Sequence, residues 1–169
     1  MRGAAAVFLT LYLLHALVAE ANNALSGAHV WLFAGGLYVA YSALMVPFRQ
    51  GLAATIMGGL LCDAAAPVAF GTHAALFAVA HVAVYAFRER LQREETPVRV
   101  AAALILNLAF FLALSFARLR LFPAMAAAWP RMLSDLLCSE AVVALIAPWF
   151  FALQARSIEL ARALPPRLA

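Results

Sequence analysis

The sequence predicts an all-α protein, a polytopic bundle of about six transmembrane helices with both chain ends in the cytoplasm. Of the 169 residues, 67% are hydrophobic and 12% are charged, and the mean hydropathy is +0.93. Soluble domains contain about 45–50% apolar and about 25% charged residues. The apolar residues fall into six continuous segments, and the arginines concentrate in alternate connections between them. Together these observations indicate an integral membrane protein.

Each apolar segment has between about 16 and 23 residues, which at about 1.5 Å per residue suits a bilayer core of about 30 Å. Backbone polar groups must be paired within lipid, and no alternating barrel pattern is present, so the segments are predicted to be helices. They cover residues 3–19, 29–46, 51–67, 72–87, 100–117 and 132–154. We expect residues 1–155 to form a single bundle and residues 156–169 to form a cytoplasmic tail.

The first segment follows Arg2 and ends near Ala19–Ala21. A basic start, an apolar run and small residues also describe a signal peptide. An apolar run of about 17 residues is long for that purpose, and cleavage would leave five spans in the same orientation.

The third and fourth segments are separated by a short stretch that contains Pro67 and Gly71. Proline interrupts a helix and glycine accepts any backbone angle, so a tight helical hairpin is predicted here. Ala54, Gly58 and Cys62 repeat every four residues along the third segment. Such small side chains allow close approach of backbones, and we expect this helix to occupy the bundle centre.

The distribution of arginine predicts the direction of the spans, because cytoplasmic connections carry the excess of basic residues. Three arginines fall in the connection between the fifth and sixth segments: Arg118, Arg120 and Arg131. Nine fall on the opposite side: Arg2, Arg49, Arg88, Arg90, Arg93, Arg99, Arg156, Arg162 and Arg167. Both chain ends are therefore expected in the cytoplasm.

A few ionisable and polar residues lie inside the apolar segments, where a charge costs at least about 2.5–3.5 kcal/mol. With the predicted topology, four of them fall in the outer half of the membrane, and His81 and Asn107 lie nearer the middle. Asp63 and His73 flank one turn and are placed to hydrogen-bond. One interpretation is a small polar pocket that opens outward, and the other is hydrogen bonding between helices. The four outer residues are His15, Asp63, His73 and Glu140.

Catalytic and metal-binding patterns are not found in the sequence. It contains no H-E-x-x-H, G-x-S-x-G, P-loop or C-x-x-C motif, so no catalytic, cofactor or metal residue is predicted and no enzyme activity is expected. Cys62 and Cys138 lie within apolar segments and are expected to be small buried side chains. The net charge of +4 does not indicate nucleic-acid binding, because no basic stripe is interleaved with aromatic residues.

The stretch "GGLLCDAAAPVAFGTHAALFAVAHVAVYAFRERLQ" resembles the rod shape-determining protein MreD family over about 35 residues. It has a glycine-rich span that ends in leucines and an aspartate, a short turn, a helix that begins with histidine, and an arginine-rich loop. Cys62 departs from the aliphatic residue that usually precedes the aspartate. The matching residues are Gly58, Gly59, Leu60, Leu61, Asp63, Pro67, Phe70, Gly71, His73, Arg88, Arg90 and Arg93.

The resemblance implies a non-enzymatic scaffold or adaptor in the bacterial inner membrane, part of the cell-elongation machinery that shapes rods and builds peptidoglycan. Its implied partners are an MreC-like protein, an MreB-like filament, and a RodA-type glycosyltransferase with a class B transpeptidase. The expected structural or partner-contact residues are Asp63, Pro67, Gly71, His73 and Glu140. The outer loop with Phe122 and Trp129 is either a second partner contact or an interfacial belt of aromatic and arginine side chains on lipid headgroups.

A second class of membrane protein also fits the length of the chain and its number of spans. Bundles of this size also resemble the substrate-binding S components of energy-coupling-factor vitamin transporters, which hold a vitamin near the outer surface. The four outer polar residues would then line the binding pocket. No vitamin-specific motif is present in the sequence.

Overall fold

The computed structural model of the protein describes residues 2–121 and 129–163, with side chains for 3–117 and 129–163. Six α-helices and two short 3-10 helices make up this part of the chain, which contains no strand. The 3-10 helices are Ser26–Ala28 and Arg88–Arg90. The α-helices are α1 (Arg2–Leu25), α2 (Gly35–Met45), α3 (Phe48–Ala65), α4 (Thr72–Phe87), α5 (Thr96–Leu121) and α6 (Trp129–Ala163).

Three stretches of the described chain have the length and apolar composition needed to cross a bilayer: Gly3–Ala28, Thr96–Ala117 and Trp129–Ala163. The described part of the chain is thus all-helical, and three of its helices are consistent with a membrane protein. Its exterior is correspondingly apolar, since Leu145 and Trp149 on α6 are 74% and 79% exposed. The other three helices have 11, 18 and 16 residues.

Helix α2 forms the centre of the bundle. It contacts α3, α4, α5 and α6, while α1 closes the outside against α3 and α6. Every residue from Gly35 to Leu44 is buried, as expected for a helix that is apolar or small on all sides. Aromatic rings link it to its neighbours: Tyr38 and Phe77 have ring centroids 5.6 Å apart, and Tyr41 and Phe151 lie 5.9 Å apart.

The expectation that the third segment occupies the centre is therefore wrong. Ala54, Gly58 and Gly59 of α3 are buried, but Met57 on the same helix is 47% exposed. The small residues do allow close approach of helix backbones, as predicted, because Gly59 packs against the backbone of α4. They bring α3 close to its neighbours on one side only, whereas α2 is enclosed on every side.

The predicted helix over 29–46 is also wrong in its first third. Residues 29–34 are outside the helix, and α2 begins at Gly35. His29 ends the first 3-10 helix in a left-handed conformation with φ of 56°. The chain then continues without helical hydrogen bonds to the start of α2. The apolar side chains of this stretch made it indistinguishable from a span by hydropathy.

Helix α6 is longer than the predicted sixth segment and extends to Ala163. Gln154 and Ile158 are buried on either side of residue 155. The predicted division between bundle and tail thus falls inside a continuous helix. Phe122 and most of the outer loop lie outside the described residues.

Candidate functional site

Asp63 holds the first turn of α4. Its Oδ2 accepts hydrogen bonds from the backbone N–H groups of Gly71 (3.0 Å) and Ala74 (3.1 Å). Its Oδ1 accepts one from the backbone N–H of His73 (2.8 Å) and another from the His73 ring Nδ1 (2.8 Å). The first N–H groups of a helix have no partner within it, and a carboxylate there also complements the helix dipole. Asp63 is thus a cap supplied by the neighbouring helix.

The turn between α3 and α4 allows this cap. Gly71 precedes the helix with φ of 96° and provides no side-chain cap of its own, because it has no side chain beyond hydrogen. Pro67 lies in the irregular stretch after α3, and the Thr72 hydroxyl donates to the Ala69 carbonyl (2.6 Å). The predicted hydrogen bond between Asp63 and His73 is present, and three backbone groups join it.

A second polar group surrounds residues 30–34, an irregular stretch outside the helices. Three backbone N–H groups there donate to side chains: Trp31 to Asp135 Oδ1 (3.0 Å), Leu32 to Asn22 Oδ1 (2.7 Å) and Phe33 to Ser139 Oγ (3.0 Å). Asn22 Nδ2 also donates to the Leu32 carbonyl (3.0 Å). Irregular backbone away from water requires such partners.

The sequence did not single out the three side chains that accept these backbone hydrogen bonds: Asn22, Asp135 and Ser139. Each is a small polar residue near one end of an apolar segment. Their partners are backbone groups of a distant segment, and residue identity alone does not reveal such pairs.

Asn22→Ala is expected to lower the free energy of unfolding by about 2 kcal/mol, because it leaves the buried N–H and carbonyl of Leu32 without partners. The adjacent Asn23 is exposed, so Asn23→Ala is the matched control, with an expected change within about 0.5 kcal/mol. Titration with SDS in mixed micelles measures both values. Equal effects of the two variants would show that the Asn22 pairing does not stabilise the fold.

Glu140 belongs to a third group, at the start of α2. The Asn107 side chain accepts from the backbone N–H of Gly36 (3.1 Å) and donates to Glu140 Oε1 (3.1 Å). Asn107 on α5 therefore caps α2 as Asp63 on α3 caps α4. Both helices lack a capping side chain at the residue before their own first turn.

Further along the bundle, His81 Nδ1 lies 3.3 Å from the Thr55 hydroxyl, which lies 2.7 Å from the Ser42 hydroxyl. These three side chains connect α2, α3 and α4, and all three are buried. The group joins helices without an opening to the outside.

A cavity of about 470 Å³ lies between α1, the irregular stretch 30–34, α2 and the α3–α4 hairpin. Of the residues predicted for an outer pocket, His15 and His73 line it and Asp63 and Glu140 do not. Pro67 forms part of its wall. The structure thus brings His15 and His73 to one cavity, with Asp63 behind His73.

His73 is a buried ionisable side chain among the residues that line this cavity. In the described part of the chain, no hydroxyl or thiol is hydrogen-bonded to His73. Nor does any cluster of three or more His, Cys, Asp or Glu residues there suit a metal ion. Cys62 and Cys138 are free thiols. Two hydroxyl groups in the described residues lie 3.3 Å from an imidazole nitrogen: Thr55 from His81 Nδ1, and Tyr38 from His15 Nδ1. Of these pairs, Tyr38 and His15 line the cavity.

Comparisons of this chain with protein-family models, curated proteins and solved structures find no match.

Proposed function

We propose that the protein is a non-enzymatic scaffold subunit of the bacterial cell-elongation machinery, held in the inner membrane by six spans with both ends in the cytoplasm. The supporting observation is that Asp63 uses both carboxylate oxygens to join α3 to α4. This residue is the most distinctive one in the stretch that resembles the MreD family. A hydrogen-bonded connection between α3 and α4 at this residue suits a protein that presents surfaces to partners.

The proposed orientation has support from the three-dimensional distribution of arginine. Arg88 and Arg93 after α4 and Arg162 near the end of α6 surround one cavity beside the α2–α3 connection. The Asp63 turn is at the opposite end of α3 and α4. The basic end would face the cytoplasm by the positive-inside rule, and an MreB-like filament would meet it there.

The tip of the α3–α4 hairpin is the surface that we propose for an MreC-like partner. Phe70 is 73% exposed at this tip, and it is one of the residues that carry the resemblance. Exposed aromatic side chains frequently anchor interfaces. The tip lies on the proposed extracytoplasmic side, where the main domain of an MreC-like protein resides.

Capture of partners tests this function. The tagged chain, solubilised from bacterial membranes in mild detergent, is expected to enrich an MreC-like protein, with a RodA-type glycosyltransferase and a class B transpeptidase in smaller amounts. Phe70→Ala should reduce the capture about tenfold, which corresponds to about 1.4 kcal/mol at one anchoring residue. Quantitative mass spectrometry provides the measurement.

Phe87→Ala is the matched control, since Phe87 is 57% exposed at the opposite end of the same hairpin and should leave the capture unchanged. Equal capture by wild type and both variants would remove the hairpin tip from the interface. If no cell-elongation protein is enriched, the scaffold proposal fails.

A second candidate function is the substrate-binding S component of a vitamin transporter, and the cavity of about 470 Å³ favours it. The two functions differ in their consequences. Depletion of a scaffold converts rods to spheres, whereas depletion of an S component stops vitamin uptake and leaves cell shape intact. Capture of a pair of transporter ATPases would likewise favour the second.

A further inference from the structure

The outer cavity has the size of a ligand site. Its volume of about 470 Å³ falls within the range of about 300–1,000 Å³ that small-molecule sites occupy. Its wall is built from α1, the irregular stretch 30–34, α2 and both helices of the hairpin. Side chains from other elements hydrogen-bond to the backbone of two of those wall segments, the irregular stretch and the start of α4.

The walls select an uncharged ligand. The described side chains that line the cavity include no Asp, Glu, Lys or Arg. A charged molecule would lose its hydration there without gaining a counter-charge, and such transfers are strongly unfavourable. Trp31, Phe33 and Tyr38 contribute aromatic surface, against which a flat ring packs favourably.

The neutral form of His73 can supply a hydrogen-bond acceptor. The residue is 3% exposed, and its Nδ1 lies 2.8 Å from Asp63 Oδ1. Because a carboxylate accepts, Nδ1 carries the proton, and in the neutral ring Nε2 is then an acceptor. Nε2 makes no hydrogen bond within the described residues. His73 lines the cavity, and Asp63 fixes the orientation of its ring as such carboxylates do for functional histidines.

We propose that the cavity binds an uncharged, planar molecule that donates an N–H or O–H hydrogen bond to His73 Nε2. His15, whose Nδ1 lies 3.3 Å from the Tyr38 hydroxyl, supplies a second polar contact. The proposal goes beyond the scaffold function, since it stands whatever partners the chain assembles with. It also defines the ligand class that the S-component function requires.

Indole and benzofuran form a matched pair of probes, because both are flat bicyclic rings and only indole has an N–H group. The full chain in lipid nanodiscs, labelled with ¹⁵N histidine, is titrated with each. Indole is expected to move the His73 Nε2 resonance saturably, and benzofuran to bind about tenfold more weakly, as one hydrogen bond of about 1.4 kcal/mol implies. Equal affinity for the two probes would overturn the proposed role of His73.

Two neighbouring alanines at the end of α3 separate binding in the cavity from partition into lipid. Ala65 lines the cavity and Ala64 does not, and both are exposed. Ala65→Trp should abolish the saturable shift, and Ala64→Trp should preserve it. Identical titrations of the two variants would mean partition into lipid only, which contradicts the proposal.

His73→Asn gives an independent check, because an asparagine amide can still donate to Asp63 but lacks Nε2. This variant should bind indole and benzofuran equally, as judged by the response of the His15 resonance. Retention of the tenfold preference for indole would contradict the proposal. Failure of these tests would leave the capture of an MreC-like protein unaffected, so the two proposals are judged separately.

Discussion

Asp63→Ala is expected to lower the free energy of unfolding by about 3–5 kcal/mol, the loss typical when one partner of a buried polar pair is removed. Four donors lose their acceptor at once: three backbone N–H groups of the α4 start and the His73 ring. Asp63 is 4% exposed, so water does not readily replace the carboxylate. SDS titration measures the free energy, and reaction of Cys62 and Cys138 with a thiol-specific fluorophore reports the opening.

Two variants serve as controls for this result. Asp63→Asn keeps one acceptor oxygen and should lose less stability than Asp63→Ala. Asp135→Ala removes a carboxylate that accepts one backbone hydrogen bond among the described residues, from Trp31, and should cost about 1 kcal/mol. If Asp63→Ala destabilises no more than Asp135→Ala, the aspartate does not hold the hairpin together.

Gly59→Ala should produce the second large effect, a loss of about 2–3 kcal/mol. A Cβ at this position would lie 2.5 Å from Ala74 Cα and 2.7 Å from Ala74 N. Both are backbone atoms, which cannot rotate away as a side chain does, so α3 and α4 must separate. The separation would also lengthen the hydrogen bonds of Asp63, four residues further along α3. The same SDS titration measures the loss.

Gly27 and Gly58 provide graded controls. A Cβ on Gly27 meets nothing within 4 Å, and one on Gly58 meets side-chain atoms of Tyr38 at 2.9 Å and Leu11 at 3.2 Å. The expected order of destabilisation is therefore Gly59, then Gly58, then Gly27 with a change within about 0.5 kcal/mol. Gly59→Ala and Asp63→Ala both disturb the contact between α3 and α4. The double variant should therefore lose less free energy of unfolding than the sum of the two single losses. Additive losses would show that the two residues act independently.

The positions of the helices could be predicted from the sequence because lipid requires long apolar runs and paired backbones. The α3–α4 hairpin is the best example. Pro67 and Gly71 marked its turn, and the placement of an acid and an imidazole on either side predicted that Asp63 and His73 would meet. Each of these inferences depends on residues close together in the chain.

The beginning of α2 could not be predicted in this way. Residues 29–34 are as apolar as a span, and they leave the helix because Asn22, Asp135 and Ser139 hydrogen-bond to their backbone N–H groups. These partners come from α1 and α6. Likewise the pairing of Glu140 with Asn107, away from the cavity, depends on how α5 and α6 pack.

By itself, the sequence determined that this chain is apolar and helical, with segments suited to a membrane, since composition alone decides which solvent its surface tolerates. It also determined the α3–α4 turn, through local backbone preferences. Only the tertiary structure decided that α2 is the central helix, that two helices are capped by their neighbours, and that His15 and His73 share a cavity. Those features arise from contacts between residues far apart in the chain, where hydropathy and spacing carry no information about which groups meet.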